Sequence, residues 1–182
     1  MDFSYALTKN IISKDNINLL CKHIEENYVM EESEEMKSRT ATKKANVKII
    51  GYKDVEKYIA DSVLEALSIN RYSCGYDLYN LEKDHSVNYT TYDSNNQGEY
   101  GWHSDSSRNA FFDIKLTLII NISQEDYQGG EFKLFDGGEV EINNFRPGDL
   151  LLIKSHINHK VNPVISGKRK TLVMFLIGPK IR

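Results

Sequence analysis

The spacing of apolar residues changes near Tyr76, and this change constrains the fold more than any other feature of the 182-residue chain. Before Tyr76, apolar residues recur every three or four positions in two segments, which predicts amphipathic helices over residues 13–28 and 54–69. Ser13 and Asp54 are the predicted N-caps. The predicted buried face of the second helix consists of Val55, Ile59, Val63, Leu64 and Leu67.

After Tyr76, apolar residues alternate with polar ones or form short runs, which is the pattern of β-strands. The predicted strands span residues 87–92, 114–121, 131–135, 139–142, 149–153 and 170–177. Turn-forming pairs such as Gly129-Gly130 and Pro147-Gly148 separate them. We therefore predict one α+β domain over residues 1–182, in which a helical part (1–75) packs on one sheet of a β-sandwich or open barrel (76–182).

Charge and cysteine content narrow the functional classes. The formal net charge is −3, so the chain lacks the basic character that binding to a phosphate backbone requires, and we expect no nucleic-acid partner. Cys21 and Cys74 are too few and too far apart for a disulfide framework or a zinc knuckle. No stretch has the pattern of a signal peptide or a membrane span. We expect a cytoplasmic protein without membrane contact, in which the acidic run 31–35 is an exposed connector.

The segment around His103 and Asp105 carries the strongest chemical signal. These two residues are two positions apart, so on an extended strand both side chains point to the same face. One imidazole and one carboxylate, joined by a second imidazole, form the facial triad of non-haem iron(II) oxygenases. His156 and His159 both follow downstream, and because they are three positions apart, only one of them can face the same cavity.

Arg169 is a candidate anchor for an anionic ligand. A turn around Ser166-Gly167 would return the chain so that Arg169 lies beside the strand that carries the last metal ligand. A guanidinium there could hold a dicarboxylate through two parallel charge-assisted hydrogen bonds. Thr171 is two positions further along the same strand and could add a hydroxyl donor.

An ordered set of motifs extends from about Val87 to Ile177. It comprises Tyr100 before His103-Ser104-Asp105, then Tyr127-Gln128-Gly129-Gly130-Glu131, Arg146-Pro147-Gly148-Asp149, His159-Lys160-Val161-Asn162-Pro163-Val164, Gly167 and Arg169. This set resembles the prolyl 4-hydroxylase-like 2-oxoglutarate dioxygenases, and in particular their small PKHD-type branch. The resemblance implies a double-stranded β-helix (jelly-roll) core.

The resemblance also implies a set of ligands and roles. In that family the second histidine ligand precedes the basic anchor by ten positions, which selects His159 with Arg169 and leaves His156 outside. The implied cofactors are Fe(II), the cosubstrate 2-oxoglutarate and O2, with ascorbate as a stimulant. Arg169 and Thr171 would bind the C5 carboxylate of 2-oxoglutarate, and Tyr92 would face it. Asp105 implies a hydroxylase, because the related halogenases have a small residue at that position.

The sequence does not identify the substrate, and it leaves two alternative functions to consider. Peptidyl proline is the leading substrate, so a protein or peptide partner is expected, although small molecules also fit. A jelly-roll module that binds a metal or a small acid without turnover is the alternative function. A nucleic-acid demethylase is disfavoured, because Phe175 stands where those enzymes carry a second arginine. Trp102 and Phe135 could equally floor a substrate cleft or pack in the core, and neither His23 nor His85 has a partner at ligand spacing.

Overall fold

The computed structural model describes residues 4–29, 36–37, 42–81, 85–106 and 111–180. Within these ranges the helices are α1 (Lys14–Asn27) and α2 (Tyr52–Ile69), and a π-helical turn (Asn70–Cys74) follows α2. The strands are β1 (Tyr5–Thr8), β2 (Met36–Lys37), β3 (Thr42–Lys44), β4 (Asn46–Gly51), β5 (Ser86–Asp93), β6 (Glu99–His103), β7 (Asp113–Asn121), β8 (Gln128–Gly129), β9 (Phe132–Phe135), β10 (Glu139–Glu141), β11 (Leu150–Lys154), β12 (Asn158–Val161), β13 (Val164–Ser166) and β14 (Lys168–Gly178). The six predicted strands thus correspond to β5, β7, β9, β10, β11 and β14.

Two six-stranded sheets form the core of the fold. The major sheet has the order β1-β11-β7-β14-β5-β4, and the minor sheet has the order β10-β9-β12-β6-β3-β2. Neighbouring strands in both sheets pair in the antiparallel direction. This arrangement is a double-stranded β-helix, so the predicted fold class is confirmed.

The major sheet separates two apolar cores because its side chains alternate between its two faces. On β7, Leu116, Leu118 and Ile120 pack with the buried residues of α1 and α2. Ile119 points the opposite way and packs with residues of the minor sheet. The helices therefore cover one face of the major sheet, as predicted, and the minor sheet covers the other.

Helix α1 agrees with its prediction in bounds, cap and buried face. Ser13 is the N-cap, and its hydroxyl accepts a hydrogen bond from the backbone N–H of Asn16 at 3.3 Å. The helix is fixed to the major sheet by Glu25, whose Oε1 accepts hydrogen bonds from Lys170 Nζ at 2.7 Å and from the Tyr89 hydroxyl at 3.0 Å. The bond from Lys170 holds the pKa of Glu25 below its usual value.

Helix α2 differs from its prediction in two details. It begins at Tyr52 with Gly51 as the N-cap, so Asp54 is not the cap. The Asp54 carboxylate instead accepts a hydrogen bond from the Tyr28 hydroxyl at 2.7 Å. Leu64 was placed on the buried face, but it is 63% exposed, because it lies about 100° around the helix from Val63, which is buried.

The description of residues 1–75 as helical is incomplete. Strands β1 and β4 form the two edges of the major sheet, and β2 and β3 extend the minor sheet. These strands have between two and six residues, which is too short for a period of two to stand out in the sequence. The acidic run 31–35 lies outside the described residues. Among the described residues, no helix combines the length and the apolar character needed to span a membrane.

Asp149, in the motif that begins at Arg146, fastens the edge strand β1 to the sheet. Its side chain is 1% exposed and lies 2.8 Å from Lys9 Nζ. Its two carboxylate oxygens accept hydrogen bonds from the backbone N–H groups of Asn10, at 3.0 Å, and Arg146, at 2.8 Å. The role of this carboxylate is therefore structural.

We expect the substitution Asp149→Ala to lower the free energy of unfolding by roughly 2–4 kcal/mol, because it leaves two partly buried N–H donors and the Lys9 ammonium without their acceptor. Urea denaturation measures this change. The exposed Asp61 on α2 provides the control, since Asp61→Ala should change stability by less than about 0.5 kcal/mol. Equal effects of the two substitutions would contradict the structural role of Asp149.

Candidate functional site

A cavity between the two sheets brings together every residue that the sequence predicted for the site. Its lining includes His103, Asp105, His159, Arg169, Thr171 and Tyr92. His156 is absent from this cavity and is exposed on the surface, beside Asp113 and Lys115. Of the two histidines that the sequence left open, only His159 is thus near His103 and Asp105.

Three potential metal ligands converge at one end of the cavity. His103 ends β6, and His159 lies directly opposite it on β12. Asp105 follows β6, where its backbone N–H donates to the carbonyl of Ser155 at 2.9 Å. His103 Nε2 lies 3.6 Å from Asp105 Oδ1, and His159 Nε2 lies 3.4 Å from Asp105 Oδ2. One atom from each residue lies within 4.8 Å of the other two, a separation that one ion with bonds of about 2 Å can bridge.

Hydrogen bonds to the backbone set the tautomers of both imidazoles. His103 Nδ1 lies 2.8 Å from the carbonyl oxygen of Gly101, and His159 Nδ1 lies 3.0 Å from that of Ile157. A carbonyl oxygen only accepts, so each Nδ1 donates, and Nε2 is the ring atom of each histidine that faces the centre of the cluster. Burial, together with the neighbouring His159, lowers the pKa of His103 to about 4. His103 is therefore neutral at physiological pH, as a metal ligand must be.

Thr117 on β7 orients the carboxylate of the cluster, a role that the sequence analysis did not identify. Its hydroxyl donates to Asp105 Oδ2 at 2.8 Å. Thr117 lies on the face of β7 that is opposite to Leu116 and Leu118. A polar residue at an inward position of an otherwise apolar strand is the signal that could have identified it.

A β-bulge gives β6 its functional face. Across the pair of strands, His103 is opposite His159 and Tyr100 is opposite Val161, so β6 has one extra residue in this interval. Residues three positions apart normally face opposite sides of a strand, but the bulge lets Tyr100 and His103 both line the cavity. Their rings stack with centroids 3.5 Å apart.

Trp102 and Phe135 belong neither to the cavity lining nor to the buried cores. Their rings meet edge to face at 6.3 Å. Lys160 Nζ lies 4.9 Å from the centre of the Trp102 ring, and Phe135 is 53% exposed. The pair is therefore not packed in a core.

Arg169 is the largest fully buried side chain in the described part of the protein, with 1% exposure. Its Nε and Nη2 atoms have no hydrogen-bond partner among the described residues. The guanidinium carbon lies 5.4 Å from the centre of the Tyr92 ring and 5.9 Å from that of Phe145. A buried cation with free donors is unfavourable unless an anion pairs with it, so this environment fits a bound carboxylate.

Gly130 makes the close approach of Arg169 possible. Its φ is +67°, and a Cβ atom at this position would lie 2.9 Å from Arg169 Cδ. Gly129 also has a positive φ, of +77°, as the turn prediction required. The Gly-Gly pair thus provides space beside the guanidinium in addition to turning the chain.

Polar side chains of β5 and β14 complete the wall around the guanidinium. In the register of these strands, Arg169 is opposite Tyr92 and Thr171 is opposite Thr90. The Thr90 hydroxyl is buried and has no hydrogen-bond partner among the described residues. Burial raises the pKa of Tyr92, so its phenol stays protonated and can donate. The sequence identified Tyr92 and Thr171 as candidates but missed Thr90.

Comparison with known sequences gives a family match over the β core. Residues 87–177 match the 2OG-Fe(II) oxygenase superfamily, which is half of the chain. A PKHD-type hydroxylase of Synechococcus sp. (strain CC9605) is 38% identical over 78 residues, which cover 41% of this chain and 34% of the relative. The matched segment spans about a third of the length of the curated relatives.

Solved structures share the fold over nearly the whole chain. A prolyl-4-hydroxylase of Pseudomonas putida superposes with a TM-score of 0.72 at 17% identity, covering 97% of this chain and 94% of that one. A prolyl hydroxylase of Trichoplax adhaerens, in complex with a peptide fragment of the hypoxia inducible factor oxygen degradation domain, has a TM-score of 0.69 at 16% identity. That match covers 95% of this chain and 83% of the other.

Proposed function

Because this chain belongs to the 2OG-Fe(II) oxygenase superfamily, we propose that it couples the oxidative decarboxylation of 2-oxoglutarate with the hydroxylation of a substrate C–H bond. The products from the cosubstrate are succinate and CO2. One observation carries this proposal. The unpaired guanidinium of Arg169 faces the same cavity as the cluster of His103, Asp105 and His159.

The three clustered residues would hold iron(II) through His103 Nε2, His159 Nε2 and an oxygen of Asp105. Two imidazoles and one carboxylate are a facial set of N and O donors, which suits this metal and leaves coordination positions open. Bound iron(II) supplies the redox chemistry that activates O2. The chain contributes the geometry, because the carbonyls of Gly101 and Ile157 fix the two rings and Thr117 fixes the carboxylate.

Arg169 would bind the C5 carboxylate of 2-oxoglutarate through its two free N–H donors. The hydroxyl groups of Thr171, Thr90 and Tyr92 are on the same wall of the cavity and would provide further donors. Ile119, Val161 and Val173 line the cavity between the strands and would exclude water from the cosubstrate. Such exclusion strengthens each of these electrostatic contacts.

Peptidyl proline is the substrate that we propose within this reaction class. The support is the likeness to PKHD-type hydroxylases in sequence and to prolyl hydroxylases in fold, one of them bound to a peptide. We further propose that residues 1–182 act as one domain, in which strands β1 to β4 join the two sheets of the core and both helices pack on it. Ascorbate is expected to stimulate turnover by keeping the iron reduced.

The alternative is a module that binds a metal or a small acid without turnover. To test the proposal, purified protein is incubated with iron(II), 2-oxoglutarate, ascorbate and oxygen, with and without proline-rich peptides. We expect succinate to form and one of the peptides to gain one oxygen atom, with both products lost in Asp105→Ala. Tight binding of metal and 2-oxoglutarate without any succinate would replace the proposed reaction with the binding module.

A further inference from the structure

Lys43 brings a positive charge into the cavity that neither the metal cluster nor the Arg169 wall accounts for. It lies on β3, opposite Tyr100 of β6, and its side chain lines the cavity. The next residue, Lys44, is opposite Glu99 and forms an ion pair with it at 2.8 Å. The two lysines thus differ in environment, although they are adjacent on one strand.

The ammonium group of Lys43 lies near the metal cluster, where it is attracted by the Asp105 carboxylate but forms no direct ion pair with a described residue. Its Nζ lies 5.1 Å from the centre of the Tyr100 ring, which stacks on His103. It forms no ion pair or hydrogen bond with another described residue, and burial lowers its pKa. Because a desolvated ammonium without an anion is unfavourable, the position favours an anionic ligand.

The formal charges of the occupied site leave one positive charge uncompensated. If the proposed function holds, iron(II) and 2-oxoglutarate cancel in charge, and the single carboxylate of Asp105 can balance only one of the two cations, Lys43 and Arg169. Both carboxylates of the cosubstrate are also used, one at the metal and one at Arg169. Lys43 and Arg169 moreover lie on opposite sheets, so Lys43 is placed to meet a different molecule.

We propose that Lys43 binds a carboxylate of the substrate, close to the carbon that is hydroxylated. This inference rests on the proposed function and adds a specificity-determining residue to it. The carboxylate has two possible sources, which are an acidic side chain beside the target proline of a peptide and the α-carboxylate of a free amino acid. Both would give the desolvated ammonium a charge-assisted hydrogen bond.

Two matched substrate pairs test this proposal. One pair is a proline peptide with either Glu or Gln beside the proline, and the other is free L-proline and L-prolinamide. We measure kcat/KM from succinate formation, and we measure binding to protein loaded with Zn(II) and 2-oxoglutarate, which does not turn over. At least one pair should favour the carboxylate member by about tenfold or more, the usual strength of a charge-assisted hydrogen bond.

Variants at the two adjacent lysines identify the residue that is responsible. Lys43→Met should reduce the preference to near unity, Lys43→Arg should keep part of it, and Lys44→Met should leave it unchanged. The inference is overturned if wild-type protein has no carboxylate preference in either pair, or if Lys43→Met keeps the preference. It is also overturned if Lys43→Met weakens 2-oxoglutarate binding instead.

The binding measurement on Zn(II)-loaded protein tests this inference separately from the proposed function. If wild-type protein makes no succinate under any condition, the dioxygenase proposal fails, but the Zn(II)-loaded protein still shows whether Lys43 selects a carboxylate. If succinate forms with equal efficiency from both members of each pair, the reaction stands and the role of Lys43 fails. Should Lys43→Met not fold, the wild-type preference and the Lys43→Arg variant decide the outcome.

Discussion

Replacing His159 with alanine is expected to reduce 2-oxoglutarate turnover by more than about a hundredfold, whereas His156→Ala is expected to leave it within about twofold. His159 Nε2 points toward Asp105 at 3.4 Å, while His156 is exposed outside the cavity. Loss of a residue that only orients a metal ligand already costs about 10- to 100-fold. Loss of a ligand itself should therefore cost more.

The measurement pairs succinate formation with the dissociation constant for iron(II) or for Co(II) as a substitute. Succinate formation and metal binding should both be lost in His159→Ala, and both should be retained in His156→Ala. A comparable loss in the His156 variant would show that the metal is bound elsewhere. Tight metal binding in His159→Ala would likewise contradict the assignment of the three ligands.

Replacing Arg169 with leucine is expected to weaken 2-oxoglutarate binding by about a hundredfold or more, since it leaves a buried carboxylate without its partner. Without 2-oxoglutarate the variant should be at least as stable as the wild type, because Arg169 is 1% exposed and two of its donors are unpaired. Replacement of an uncompensated buried charge by an apolar residue is often neutral or stabilising.

Thermal unfolding with and without 2-oxoglutarate measures both effects. Arg169→Leu should keep or raise Tm in the absence of the cosubstrate and should lose most of the rise that 2-oxoglutarate gives to the wild type. Arg169→Lys should recover only part of that rise, because an ammonium cannot form two parallel bonds. The exposed neighbour provides the control, and Lys168→Met should behave as wild type. A large fall in the stability of Arg169→Leu alone would assign the guanidinium a structural role.

Sequence patterns were sufficient for the parts of the fold that follow a regular period. Alternation on β5, β7 and β14 was long enough to reveal the strands, and the jelly-roll core that the family resemblance implied is confirmed. Asp54 and Leu64 were misplaced because a helix can begin before its first acidic residue and can carry an apolar residue on its exposed side. Local helix propensity determines neither the first residue of α2 nor the face on which Leu64 lies.

The unpredicted parts of the site depend on contacts between distant segments. Lys43 reaches the cavity only because a three-residue strand, β3, adds to the edge of β6. Thr117 meets Asp105 across twelve positions of sequence, through a hydrogen bond that no periodicity indicates. The bulge in β6 likewise breaks the very alternation from which a strand face is inferred.

Two neighbouring residues of β14 have different roles on the two faces of the major sheet. Arg169 faces the cavity, and Lys170 faces the other way and bonds to Glu25 of α1. The helix and the guanidinium are therefore separated by the thickness of a single sheet, and any shift of α1 that moves β14 also moves the guanidinium. If Arg169 binds 2-oxoglutarate as proposed, substitutions on α1 would therefore change the affinity for this cosubstrate without altering any residue that contacts it.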